Sequence, residues 1–252
     1  MAKISTIIIT FNEENNIGDC LNSVNWADEI IIIDSKSSDK TAVIAASFTK
    51  SIFFTENLPY YAKKNMAIEK ASGEWILSID ADERVTDKLK NEIIETVNDS
   101  AKRFDAYELK RKSFFISKFI NHCGWYPDYV TRLFKKSSGA KFSENLVHEK
   151  LILEGNTGRL NSDLLHYTNR DFEHYLKKLN IYTTYSANEL YSAGKTAGIF
   201  DIFFRPAFTF IKMYFLKLGI FDGFIGFVLC FLSSIHVFVK YSKLYWLNKK
   251  NK

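Results

Sequence analysis

Trp75-Ile76-Leu77-Ser78-Ile79-Asp80-Ala81-Asp82-Glu83 is the stretch that decides the fold. Its first five residues read as a strand, and the apolar run ends abruptly in acids. Asp80 and Asp82 are spaced i, i+2, so in extended backbone both carboxylates project to one side, where they can share a hard cation and diphosphate oxygens. An Asp-x-Asp pair also occurs by chance in surface turns, so its meaning depends on what surrounds it.

Working outward, the chain alternates. Ile4 to Thr10 is β-branched and apolar, Ile17 to Asn25 is a short helix, and Glu29 to Asp34 is a strand apolar on both faces. Asp39 to Ser47 reads as helix, Ser51 to Thr55 as strand, Tyr60 to Ala71 as helix, Glu74 to Ile79 as strand and Thr86 to Asn98 as helix. Strands apolar on both faces belong in a parallel sheet covered by helices on both sides, with ligands outside the strands' C-terminal ends. The polar clusters sit at those ends: Thr10-Phe11-Asn12-Glu13-Glu14, Asp34-Ser35-Lys36-Ser37-Ser38-Asp39 and Asp80-Ala81-Asp82-Glu83. Neither Gly-x-Gly-x-x-Gly nor a P-loop motif is present, which speaks against dinucleotide and P-loop chemistry.

Composition removes other classes. With 25% charged and 46% hydrophobic residues the chain is not mainly disordered. Cys20, Cys123 and Cys230 are too few and too scattered for a disulfide framework or a zinc ribbon, and read as buried thiols in a reducing compartment. Met1-Ala2-Lys3 leads directly into the first strand without a signal-peptide pattern, so the domain is expected in the cytoplasm.

The net charge of +5 is unevenly placed. Arg205 to Lys252 holds eight basic residues and one acid (8 − 1 = +7), leaving 26 basic and 28 acidic residues before it (26 − 28 = −2). Fifteen of the 39 aromatics also lie between Phe200 and Trp246. Nucleic acid is excluded as a partner, because the sixteen residues Phe224–Val239 carry no formal charge, whereas a phosphate-tracking groove needs cations throughout. Lipid fits better. Sixteen helical residues reach ~24 Å, short of a hydrocarbon core of about 30 Å, and extension back to Leu218 takes in Asp222, Gly219, Gly223 and Gly226. An interfacial or re-entrant arrangement of residues 218–239 is therefore expected over a full span. On a helical wheel Arg205, Thr209, Lys212 and Lys217 face opposite Phe208, Ile211, Phe215 and Leu218. Lys240, Lys243, Lys249, Lys250 and Lys252 with Tyr241, Tyr245 and Trp246 have the composition of an anionic-membrane contact. The competing reading is a buried helix pair with a solvated tail.

The ordered set Thr10-Phe11-Asn12-Glu13-Glu14, Asp34-Ser35-x-Ser37-x-Asp39-x-Thr41, Lys64-Asn65 and Asp80-Ala81-Asp82-Glu83 resembles the inverting family 2 glycosyltransferases of the GT-A fold. Trp125-Tyr126-Pro127-Asp128, Arg132-Leu133-Phe134 and Val147-His148-Glu149 resemble its lipopolysaccharide-core glucosyltransferase branch. The resemblance implies a GT-A α/β fold, a Rossmann-like mixed sheet with helices on both faces, followed by a C-terminal membrane-associated helical segment. It implies that Thr10, Asn12 and Glu14 line the base and ribose side, that Asp34 accepts a hydrogen bond from uracil N3, that Asp80 faces the ribose, and that Asp82 ligates Mg²⁺ or Mn²⁺. Asp34 also suits a turn or cap, and Asp39 before Thr41 suits a helix start. Lys64 can meet nucleotide or phosphate charge, or simply be solvated. Direct displacement needs a general base, for which Glu149, Asp128 and Glu144 are candidates and Glu149 is preferred, with His148 as a sugar or metal contact. No His-Glu-x-x-His is present, since position 152 is Ile152. Trp125, Tyr126 and Asp128 form an expected acceptor loop, and Arg132 can reach diphosphate or an anionic acceptor.

The expected organisation is a catalytic domain at 1–170, its nucleotide-sugar half at about 1–100 and acceptor half at about 101–170. A helical connector at 171–204, including a helix over Asp171 to Ala193, and the membrane segment 205–252 follow. The expected activity is hexose transfer, with UDP-glucose as donor, to a lipid-linked saccharide such as lipopolysaccharide inner core at the cytoplasmic face of the bacterial inner membrane. Transfer to polyisoprenyl phosphate and a non-catalytic membrane-binding module are the alternatives.

Overall fold

The computed structural model describes residues 1–56, 58–99, 104–144, 150–169 and 171–250. The first hundred residues give β1 (Ile4–Thr10), α1 (Ile17–Val24), β2 (Glu29–Asp34), α2 (Thr41–Ala45), β3 (Ile52–Phe54), α3 (Tyr60–Lys70), β4 (Trp75–Asp80), β5 (Glu83–Val85) and α4 (Asp87–Asn98). Strand β5 is the element of this stretch that the sequence pattern does not announce, because it is three residues long, two of them charged, and follows β4 almost at once. Thr86 caps α4, its hydroxyl accepting from the Leu89 amide at 3.2 Å. Strands β6 (Ala106–Phe115), β7 (Lys118–Phe119), β8 (Asp128–Lys135), β9 (Lys141–Phe142), β10 (Leu151–Ile152) and β11 (Thr157–Asn169) follow.

The main sheet runs β3-β2-β1-β4-β8-β6-β11-β5, with β7 beside β6. Strands β3, β2, β1 and β4 are mutually parallel, whereas β8 joins β4 antiparallel, so the sheet is mixed. The alternation of side chains explains the continuous Ile runs. Ile4, Ile8, Ile30 and Ile32 pack with Leu21 of α1 and Leu89 and Ile93 of α4, while Ile7, Ile9, Ile31 and Ile33 pack with Ala67 and Ile68 of α3. The register aligns the strand ends: Thr10 stands beside Asp34, and Ile9 beside Asp80. On the α3 side, Asn65 bonds the Phe142 backbone in both directions, donating at 3.0 Å and accepting at 2.8 Å.

The chain divides into two compact units, Met1–Arg111 with Asp128–His166, and Lys112–Pro127 with Tyr167–Lys252. Residues 112–127 group with the helical part because Phe115, Ile120 and Cys123 pack in one cluster with Tyr175, Leu179 and Leu229. In this second unit α5 (Phe172–Ser192), capped by Asp171 through the His174 amide, and α6 (Ile199–Ile211) both pack on α7 (Gly223–Lys250). The three cysteines are free and buried.

Between α6 and α7 the backbone makes a π-helical turn at Lys212–Leu216 and a 3₁₀ turn at Gly219–Asp222, with Leu218 left-handed. Asp222 is therefore not a charge exposed along a membrane helix. Its side chain is 1% exposed and accepts from the amides of His122 (2.7 Å) and Asn121 (3.2 Å), with the Lys118 ammonium 3.6 Å away. A side chain on Gly226 would collide with the Gly219 carbonyl, which is why the two segments can turn so tightly. Gly219–Lys250 is long and apolar enough to cross a membrane by length and composition, yet only 28% of its most apolar stretch is buried within the chain. Phe200, Phe203, Phe204 and Phe208 of α6 are likewise 59–67% exposed. A buried core helix pair does not have such surfaces.

Asp222→Ala removes the acceptor for two backbone amides and leaves the Lys118 charge unanswered. A loss of about 2–4 kcal/mol is expected in thermal or urea melts, with Asp222→Asn intermediate; an unchanged melt would show that this contact does not hold the turn.

Candidate active site

The C-terminal ends of β1 and β2 are tied together by side chains. Fully buried Asp34 accepts from the hydroxyls of Thr10 (2.7 Å) and Ser37 (2.7 Å) and from the Ser37 amide (2.7 Å). The Asn12 side chain accepts from the Ser38 amide at 2.9 Å, with Asn12 itself left-handed at φ 55°. The Glu13 amide donates to Thr41 (2.7 Å), the Glu14 amide donates to Asp39 (3.1 Å), and the Glu14 carboxylate accepts from the Lys40 amide (3.1 Å). Thr10, Asn12, Glu14 and Asp34 thus converge at one edge. Asp39 accepts from the Thr41 amide just ahead of α2, as a helix-entry residue should.

Next to this edge lies a chain of buried charges. Arg132 on β8 donates Nη2 to Asp80 and, at 2.7 Å, to Glu83, whose side chain is 0% exposed. The second oxygen of Glu83 accepts from the Asp80 amide at 3.0 Å. Arg111 stands 3.6 Å from Glu83 and bonds Asp128 through Nε (2.9 Å) and Nη2 (2.6 Å). On the other side Asp80 receives the Tyr60 hydroxyl (3.1 Å) and the Lys64 ammonium (3.3 Å). Lys64 is buried against the rings of Tyr60 and Phe142, 4.8 Å from each centroid, and is not a solvated helix lysine. Burial by itself would raise the Asp80 carboxyl. The Arg132 guanidinium and the Lys64 ammonium outweigh that effect and hold it well below the usual carboxylate range. The buried Nε of Arg132 has no hydrogen-bond partner among the described residues.

Beside this cluster Asp82 faces His166 of β11, whose Nε2 is 3.3 Å from its carboxylate. The register opposite Glu83 puts His166 there. Among the described residues no group of three His, Cys, Asp or Glu side chains forms a closed metal site. The Asp82 carboxylate suits a hard cation such as Mg²⁺ or Mn²⁺, whereas the His166 imidazole suits a transition metal, so of the two ions the pair fits Mn²⁺ better.

The profile of Glycosyl transferase family 2 matches residues 5–136, just over half of the chain. The chain belongs to glycosyltransferase family 2. This glycosyltransferase is 28% identical to the lipopolysaccharide core biosynthesis glycosyltransferase LpsC of Rhizobium meliloti, over 96% of the chain and 92% of the relative. It is 30% identical to an uncharacterized glycosyltransferase of Rickettsia typhi over 100% and 90%. Among solved structures, S. aureus TarS 1–349 matches with a TM-score of 0.49 at 14% identity, over 99% of this chain and 92% of that one. A longer TarS chain matches at 0.47 and 15%, over 74% of this chain and 40% of its own length. Membership of family 2, together with the mixed sheet and its helices on both faces, makes the fold one of the GT-A type.

Several site residues of this glycosyltransferase escape a reading of its sequence. His166 sits in a strand of ordinary alternation, and Glu83 looks like the tail of an acidic turn; their roles depend on pairing with elements some 50 to 80 positions away in the chain. Tyr60 and Arg111 carry no local motif at all. Trp125 and Tyr126 belong to the second unit, where Trp125 packs edge-on against Phe115 and the Lys112 ammonium lies 5.3 Å from the Tyr126 ring centroid. Glu144 is exposed beside the β9–β10 hairpin, lining a cavity of about 440 Å³. His148 and Glu149 lie outside the described residues.

Because Asp80 has a lower carboxyl value folded than unfolded, it contributes stability in full above the ordinary carboxylate range, and this is lost as the pH falls from that range towards the depressed folded value. Arg132→Met is expected to cost about 3–5 kcal/mol at neutral pH. The gap to wild type should narrow towards about pH 4, where the unpaired carboxyl takes up a proton. Urea melts across that range test this, and a gap independent of pH would contradict the pairing.

Proposed function

We propose that this family 2 glycosyltransferase moves a hexose, glucose from UDP-glucose, onto a lipid-linked saccharide of the lipopolysaccharide-core type at the cytoplasmic face of the inner membrane. The observation that carries the reading is the convergence of Thr10, Asp34, Asp80 and the Asp82–His166 pair on one sheet edge. Asp34 and Asp80 lie two strands apart, roughly 10 Å, a span suited to a nucleoside with its base near Asp34 and its ribose near Asp80. The part of the relative LpsC in lipopolysaccharide core biosynthesis and the exposed aromatic surface of α6 and α7 favour a lipid-linked acceptor.

In this reading Thr10, Asn12 and Glu14 line the base and ribose. Asp82, with His166, would hold Mg²⁺ or Mn²⁺. Such a cation, when bound, supplies charge neutralisation at the leaving diphosphate. Lys64 and Arg132 keep Asp80 ionised and oriented, and their positive charges stand next to the place where a diphosphate would lie. Glu149 takes the proton of the acceptor hydroxyl, with His148 beside it on the sugar, and inversion follows from attack opposite the leaving group. Trp125, Tyr126 and Asp128 serve the acceptor.

Asp82→Ala is expected to abolish Mn²⁺-dependent UDP-glucose binding in calorimetry; undiminished binding sinks the metal assignment. Glu149→Gln should bind the donor normally and lose transfer by a factor of a hundred or more, on the order expected for a missing base. Turnover of that variant at the wild-type rate would assign the base elsewhere.

A further inference from the structure

The cleft between α6 and α7 has the form of a site for a charged group at an apolar surface. It encloses about 370 Å³ and is walled by Phe200, Phe204 and Phe208 of α6 and by Tyr241 of α7. Two cations point into it. The Arg205 guanidinium carbon lies 4.9 Å from the Tyr241 ring centroid, and the Lys240 ammonium also lies 4.9 Å from it. Asp201 fixes the first by accepting from Arg205 Nε at 2.6 Å, and holds itself in place by accepting from the Gly198 amide at 3.0 Å. Among the described residues no acid is paired with Lys240. The cleft therefore keeps a net positive charge, two cations against one carboxylate.

The surroundings indicate what such a charge would meet. Phe200 and Phe204 stack at 4.0 Å, and both are more than half exposed, as is Phe208. Exposed phenylalanines flanking cations held against a tyrosine suit the boundary between headgroups and acyl chains, where the rings enter the chains and the cations meet phosphate. Other basic residues of the tail are placed differently. Lys243, counted among the membrane cations on sequence grounds, is turned onto α5, donating to Asn180, Thr183 and Thr184 at 2.7–2.9 Å. Lys249 and Lys250 lie exposed at the end of α7, and Lys252 is outside the described residues.

We propose that the Arg205–Lys240–Tyr241 cleft is a binding site for the phosphate of an anionic membrane lipid, with the Phe200, Phe204 and Phe208 face lying in the acyl region. This rests on the membrane-associated reading above and adds to it a defined headgroup site. A diffuse positive tail would treat all its lysines alike; this site makes two basic residues count more than the others.

Flotation of the full chain with vesicles tests it. Wild type should float with phosphatidylcholine vesicles containing phosphatidylglycerol and more weakly with phosphatidylcholine alone. The double variant R205Q/K240Q should lose about tenfold or more of the phosphatidylglycerol-dependent binding, as expected for two cations near the surface, with R205K/K240R retaining it. K249Q/K250Q should lose less than about threefold, since its charges are peripheral. Circular dichroism melts check that each variant is folded, and the single K240Q variant gives the same comparison should the double variant unfold. Equal losses for the two double variants, or none for R205Q/K240Q, overturn the site while leaving membrane association standing. Wild type that floats with neither vesicle sinks both. Release by inorganic phosphate, but not by chloride at matched ionic strength, would assign the cleft to a soluble phosphate and overturn the lipid.

Discussion

The arrangement depends on one buried guanidinium. Arg132 reaches across from β8 to hold the carboxylates at the junction of β4 and β5, Asp80 and Glu83, and both would be costly to bury alone. Glu83 in turn accepts the Asp80 amide, so the backbone turn that carries Asp82 is fixed by the same group. The sheet changes from parallel to antiparallel at this place. The antiparallel β8 brings in Arg132 from the far side, which a strand parallel to β4 followed by a helix would not do in the same register.

The neighbouring edge is held differently. There the loops after β1 and β2 are joined through neutral hydroxyls and amides around Asp34 and Asp39, and through the carboxylate of Glu14. One half of this sheet edge is therefore shaped by directional hydrogen bonds that fix loop geometry, and the other by charge pairing. The first suits recognition of a planar base, whose edge must be met at set angles; the second suits a diphosphate, whose demand is for charge.

The parallel half of the fold was legible because strands apolar on both faces leave an unambiguous pattern, and the polar residues at their ends mark the ligand edge. The Asp80 and Asp82 spacing was legible for the same local reason. What could not be read was any pairing across the antiparallel half. His166 meets Asp82, and Arg132 meets Glu83, only because β11 and β8 fall into particular registers, and no local pattern specifies those. In the tail, composition pointed to lipid, but Lys243 and Asp222 show that charges in a basic or apolar run can be turned inward to hold the backbone.

Helix α3 joins two parts of the enzyme that a list of site residues would keep separate. Lys64 rests between Asp80 and the Phe142 ring, while the next residue, Asn65, grips the Phe142 backbone from both sides. Phe142 stands only three positions ahead of the segment that leads to His148 and Glu149. Helix α3 is therefore a shared mount: within one turn it carries a charge that answers Asp80 and an amide that fixes the backbone of β9.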